Sequence, residues 1–168
     1  MTWYRFRSIP VPGFNLVEST PSVGDEHAKR FGFGVTPKNQ ATLNIYISGE
    51  FTVEIIDASF SQTMRPGDTS LDMSISEFPS GSLCTERATA GPAKRLCLSP
   101  STSSGRWRRR IEMLPPGGSI AIETGAIVIV ASGSAVASGR KMQPGDAAVD
   151  CRIVESPAGA KLVVASLM

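Results

Sequence analysis

The chain has 168 residues, of which 41% are hydrophobic and 19% charged, and its formal net charge is +2. That is enough apolar material for one folded domain, or two very small ones, and too little charge for a disordered chain. No run of about 18 apolar residues occurs, so no membrane-spanning helix is expected. The 16 glycines and 12 prolines interrupt the sequence often, which points to short strands and many turns.

The N-terminal stretch "TWYRFRSIPVPGF" (2–14) reads as a strand. It has no apolar run after its charges, so a secretory signal is not expected and synthesis in a cytoplasm is. The next two dozen residues, 15–38, are loop-like, and a long loop in a compact domain suits either a contact surface or filler. Within it, "VGDEHAKRFG" (23–32) could form one short helical turn with Asp25 as N-cap. No other helix is expected.

"ATLNIYISG" (41–49) places Leu43, Ile45 and Ile47 on one face of a strand, and "GEFTVEII" follows with Phe51, Val53 and Ile55 alternating. "MRPGDTSLDM" (64–73) then recurs as "MQPGDAAVDC" (142–151), identical at five of ten positions. In each copy Pro sets φ for the first central turn residue and Gly accepts a positive φ at the second. Asp can bond the following backbone. Pro66, Gly67 and Asp68 are therefore matched with Pro144, Gly145 and Asp146 as structural turns. Leu71, Met73 and Ile75 continue on one face after the first turn, as Val149, Cys151 and Ile153 do after the second.

"LCTERATAGPAKRLCLS" (83–99) holds Cys84 and Cys97 on either side of a turn-like "ATAGPAKR", so the two could face each other across a hairpin. With Cys151 the count is odd, which favours free thiols, and no CxxC pair suggests zinc. "STSSGRWRRRIEML" joins the copies and resembles the N-terminal strand in having Trp, alternating Arg, then Pro and Gly. The second copy is read as "GGSIAIETG" matching "ATLNIYISG", with Gly125 matched to Gly49. "AIVIVA" (126–131) is apolar throughout, as for a strand buried on both faces or at a subunit contact. The terminal "AGAKLVVASLM" is a further strand. The expected fold is all-β with almost no helix: two similar half-barrels or a double β-sandwich. Residues 1–38 complete the first repeat, 39–100 form it, and 101–168 form the second.

The glycine-led strand pair followed by Pro-Gly-Asp and another strand resembles the cupin superfamily, over roughly residues 39–168 and in two copies. The resemblance implies small jelly-roll barrels in a bicupin-like tandem. It would also imply a metal held by histidines and a glutamate, but "FTVEII", "AIVIVA", "TSLDM" and "AAVDC" carry no such set apart from Glu54. The one histidine, His27, lies outside both repeats. No metal, cofactor or catalytic residue is therefore expected. Asp72 and Asp150 are read as outward strand positions.

Seven basic residues and no acid lie between Arg87 and Ile111. Removing them from the chain's 17 basic residues leaves ten against 15 acidic ones, a net of −5. Lys94, Arg95, Arg106, Trp107, Arg108, Arg109 and Arg110 are candidates for docking on an acidic protein surface. The competing reading is an edge strand guarded by charge against aggregation. The acidic remainder argues against nucleic acid. The sequence thus suggests a non-enzymatic assembly or scaffold module, homo-oligomeric, docking on a larger assembly such as a virus or phage particle. The alternatives are a cupin binding a sugar-like small molecule, and a metal-free isomerase or epimerase.

Overall fold

The computed structural model describes residues 6–30, 42–55, 59–72, 83–101 and 107–167. All secondary structure among them is β, and the chain divides into two units: Met1–Pro10 with Phe14–Ser104, and Val11–Gly13 with Gly105–Met168.

The first unit contains β1 (Phe6–Val11), β2 (Phe14–Ser19), β3 (Glu26–Arg30), β4 (Thr42–Ile55), β5 (Phe60–Met64), β6 (Thr69–Asp72) and β7 (Leu83–Pro100). They make one seven-stranded sheet with the path β1-β2-β7-β4-β5, while β3 pairs with β7 and β6 with β4. At 14 and 18 residues, β4 and β7 are longer than ordinary strands. Each serves two sets of neighbours. The start of β4 takes β6 and its end takes β5. The start of β7 takes β3 and its end takes β2. Between the halves the β4–β7 register shifts at Tyr46/Ser48, Ser48/Glu50 and Glu50/Phe51. Such bulges bend a ribbon. Gly49 sits at this bend with φ of 72°, and a Cβ there would lie 2.4 Å from the Ala90 carbonyl oxygen.

The second unit contains β8 (Trp107–Leu114), β9 (Gly118–Ala121), β10 (Ile127–Gly133), β11 (Ala135–Ala137), β12 (Arg140–Met142), β13 (Ala147–Val149), β14 (Ile153–Ser156) and β15 (Ala160–Leu167). Two four-stranded sheets, β13-β10-β15-β8 and β12-β11-β14-β9, enclose an apolar core that includes Leu114, Val128, Val130, Met142, Val154, Leu162 and Val164.

The two units repeat one topology. Strands β10 and β11 stand for β4, β12 for β5, β13 for β6, and β14 with β15 for β7. The registers agree residue by residue: Leu43, Asn44 and Ile45 pair with Leu71, Ser70 and Thr69, as Ile127, Val128 and Ile129 pair with Val149, Ala148 and Ala147. The Pro-Gly-Asp turns are equivalent too. The Gly67 amide donates to the Tyr46 carbonyl (2.7 Å), and the Gly145 amide to the Val130 carbonyl (2.8 Å). Each glycine has a positive φ, 88° and 94°. The aspartates act backwards, not on the following backbone: Asp68 Oδ2 accepts from the Arg65 amide and Asp146 Oδ2 from the Gln143 amide, both at 2.8 Å.

The structure corrects four expectations. The counterpart of Gly49 is Gly133, not Gly125. Gly133 has φ of 76° and its Cβ would lie 2.2 Å from the Gly159 carbonyl oxygen, whereas Gly125 occupies an open turn before β10. "ATLNIYISG" therefore matches "AIVIVASG". Second, β8 matches β2, since both pair with the last stretch of the final long strand; β1 is an additional strand beside β2. Trp3 and Arg5 lie outside the described residues. Third, Asp25 caps no helix. Ser22 to Asp25 form another turn of the Pro-Gly-Asp kind, with Asp25 Oδ2 accepting from the Ser22 amide (3.0 Å), and β3 follows; residues 31–32 lie outside the described set. Fourth, β7 runs through "ATAGPAKR", so Cys84 and Cys97 lie on one strand, not across a hairpin.

Residues 126–131 are buried within the chain itself. The apolar excess that suggested a subunit contact is covered without one.

Candidate functional site

The first unit has a polar interior. On β4, Tyr46 and Asn44 point the same way, and β7 supplies Arg95 opposite Tyr46 and Cys97 opposite Asn44. Glu86, from the other half of β7, faces Val53 on β4 and His27 on β3. Tyr46 Oη donates to Glu86 Oε2 at 2.6 Å. Arg95 Nη1 donates to the same oxygen at 3.2 Å and lies 3.0 Å from Oε1. The Arg95 and Glu86 side chains are only 5% and 7% exposed. Asn44 Oδ1 accepts from the Cys97 thiol at 3.1 Å. The Tyr46 ring also meets Phe51 edge to face, with centroids 5.0 Å apart, in a cluster with Met64, Ala88 and Ala93.

The second unit shows what the same framework looks like without these groups. By register, Tyr46 corresponds to Val130, Arg95 to Leu162, Asn44 to Val128 and Cys97 to Val164. Glu86 corresponds to Val154 and His27 to Ile120, so His27 lies within the first repeat and not outside it as the sequence suggested. Six positions that carry hydrogen-bonding or ionisable side chains in one unit are aliphatic in the other. Burying a charge costs free energy that an ion pair recovers only in good geometry, and a hydrophobic replacement of the pair is often neutral or stabilising. The framework closes without the polar set, as the second unit demonstrates.

Of the residues that the sequence assigned to docking, Arg95 is removed from the surface by its pair with Glu86. Lys94 Nζ lies 3.6 Å from Glu18. Arg110 bonds Glu112 (2.7 Å), Glu123 (2.8 Å) and the Ala121 carbonyl (3.3 Å). Arg108 and Arg109 are exposed on β8. Arg106 and the Trp107 side chain lie outside the described set. The strip is thus divided between an interior and a sheet edge. Sequence reading missed Tyr46 and Glu86. The available signal was Glu86 itself, at an inward position in the alternation Cys84, Glu86, Ala88.

Among the described residues, no three His, Cys, Asp or Glu side chains converge. Glu86, the one interior carboxylate of the first unit's cluster, is engaged by a guanidinium that would repel a cation.

No family model and no curated protein matches the sequence. Solved structures do. A cupin 2 conserved barrel domain protein from Leptotrichia buccalis matches with a TM-score of 0.61 at 12% identity, over 98% of this chain and 89% of that one. HutD from Pseudomonas fluorescens matches at 0.58 and 13%, over 93% and 80%. An oxalate decarboxylase from Bacillus subtilis matches at 0.59 and 12%, over 99% and 73%. The fold is therefore of the cupin-barrel type, as the repeated turn motif implied.

Proposed function

We propose that the chain is a ligand-binding cupin-type protein in which the first unit receives a small, uncharged, hydroxyl-rich molecule of the sugar or polyol class. The observation that carries this reading is the contrast of six equivalent positions, polar around Tyr46, Glu86 and Arg95 and aliphatic around Val130, Val154 and Leu162. A buried polar set that the fold does not need is retained at a cost, and recognition supplies a reason for it. Arg95 and Glu86 cancel in charge and Tyr46 and Asn44 are neutral, so the set favours hydrogen-bonding groups over ions. Ligand hydroxyls would exchange with the Tyr46–Glu86 bond, donating to the carboxylate and accepting from the guanidinium. Binding is favoured over catalysis because Arg95 holds Glu86 as a fixed acceptor. The neighbours include both a barrel-domain protein and a decarboxylase by name, so fold alone does not choose between them.

The test is thermal unfolding of the full chain with a panel of neutral monosaccharides and polyols at millimolar concentration. A binder raises the midpoint, since ligand at 100 times its Kd adds about 2.7 kcal/mol. The triple variant Tyr46→Phe, Glu86→Val, Arg95→Leu gives the first unit an interior like the second's and should remain folded and lose the response. No response from the wild type, or an equal response from the triple variant, overturns the reading.

A further inference from the structure

Ser19 ends β2 opposite Arg95, and Arg95 stands opposite Tyr46 on β4, so the three make one row across neighbouring strands. Directly opposite residues of an antiparallel pair project from the same face of the sheet. Ser19 therefore faces the polar interior described above. It is fully buried, and its Oγ has no hydrogen-bond partner among the described residues. A hydroxyl left so costs free energy, and an alanine methyl in its place would not. The second unit meets the same need from within. By register Ser19 corresponds to Glu112 and Val17 to Arg110, and Arg110 Nη1 donates to Glu112 at 2.7 Å. In the first unit Val17 takes the place of that arginine, and its aliphatic side chain offers Ser19 nothing to bond.

We propose that Ser19 is a further ligand contact in the first unit, binding a hydroxyl other than the one held by Tyr46 and Glu86. This contact rests on the reading of that interior as a sugar or polyol site, and it narrows the ligand class. Neighbouring strands lie about 4.7–4.9 Å apart, so the Ser19 and Tyr46 backbones, with β7 between them, are roughly 9–10 Å apart. Contact with both ends of the row requires hydroxyls at separated positions of one molecule. A six-carbon sugar or polyol supplies them, and glycerol is too short. Ser19 both donates and accepts, which suits a hydroxyl, and it adds no charge to a site whose charges already cancel.

Calorimetric titration of the full chain and of Ser19→Ala with glucose, galactose, mannitol and sorbitol tests this. The wild type should bind at least one of the four, and the variant should bind that ligand several-fold to about tenfold more weakly. Glycerol should bind both forms alike. Without ligand, the thermal midpoint of the variant should equal or exceed that of the wild type, because no bond is lost. That readout separates a ligand contact from a structural hydroxyl. Unchanged affinity overturns the role of Ser19 and leaves the reading of the site standing. A lowered midpoint without ligand means that the hydroxyl is already bonded within the protein, and overturns it too. A matching loss for glycerol overturns the separation of the two contacts. A wild type that binds none of the four overturns the reading of the site and the Ser19 contact with it.

Discussion

Arg95 and Glu86 form an ion pair at 3.0 Å inside the first unit, in places that Leu162 and Val154 occupy in the second. Removing one charge should be worse than removing both. Arg95→Leu leaves a buried carboxylate without its cation and should cost about 3–5 kcal/mol in urea unfolding. The triple replacement named above should return stability to near the wild-type value or beyond. A single variant within about 1 kcal/mol of wild type would contradict the burial of the pair.

The glycines should rank by register. Gly49→Ala and Gly133→Ala each add a Cβ against opposing backbone, at 2.4 and 2.2 Å, in addition to a positive φ. Gly125 also has a positive φ, 83°, but its Cβ would meet nothing within 4 Å. Gly125→Ala should cost about 1–2 kcal/mol from the left-handed backbone alone, and the other two clearly more. Equal losses at Gly125 and Gly133 would undo the alignment of the two units.

Strands β11 and β12 are joined by Ser138 and Gly139, with Ala137 opposite Arg140. Both loop residues have positive φ, 50° and 75°. That is the two-residue hairpin of mirror-image type, which favours Asn-Gly. Ser138→Asn should raise stability by roughly 0.5 kcal/mol, an effect of turn preference alone. A lower unfolding midpoint would speak against this turn.

Glu123 should report the Arg110 cluster. A hydrogen bond from its own backbone amide holds its carboxyl below the usual range; partial burial opposes this, and Arg110 and then Arg108 add to the lowering. A lowered folded value means that its contribution is present above the ordinary glutamate pKa and lost as pH falls through the folded one. The group is exposed, so the effect on stability is small. By NMR titration, Arg110→Gln should raise the Glu123 pKa yet leave it below the ordinary value, because the amide bond remains. An unmoved titration would separate Glu123 from Arg110.

Much of the fold was legible because turn chemistry is local. Pro66-Gly67-Asp68 and Pro144-Gly145-Asp146 name the turn type, but the single alternating run expected after the second turn breaks: β13 ends at Val149, Asp150 has a φ of 56°, and Ile153 is exposed where Cys151 is buried. Met73 and Ile75 lie outside the described residues. The error of eight residues in matching Gly49 arose because a strand-leading glycine and a bulge glycine look alike in sequence. What separates Gly133 from Gly125 is the backbone of Gly159, which lies 26 residues further along the chain. The site was obscured for the same reason. Arg95 sits in a basic stretch and reads as surface until β4 and β7 are paired, because only the cross-strand partners Tyr46 and Glu86 make it interior. The exposed Ile111 and Met113 were legible as one face, since alternation along a single strand needs no partner.

The continuity of β4 and β7 bears on how the first unit opens. Each strand carries hydrogen bonds for both halves of its sheet, whereas the second unit divides the same path at Ser134 and between β14 and β15. Loosening one half of the first unit pulls on the strands that hold the other. Its central amides should therefore exchange with solvent together, in one cooperative event, while the β12-β11-β14-β9 sheet can release its protons separately from β13-β10-β15-β8.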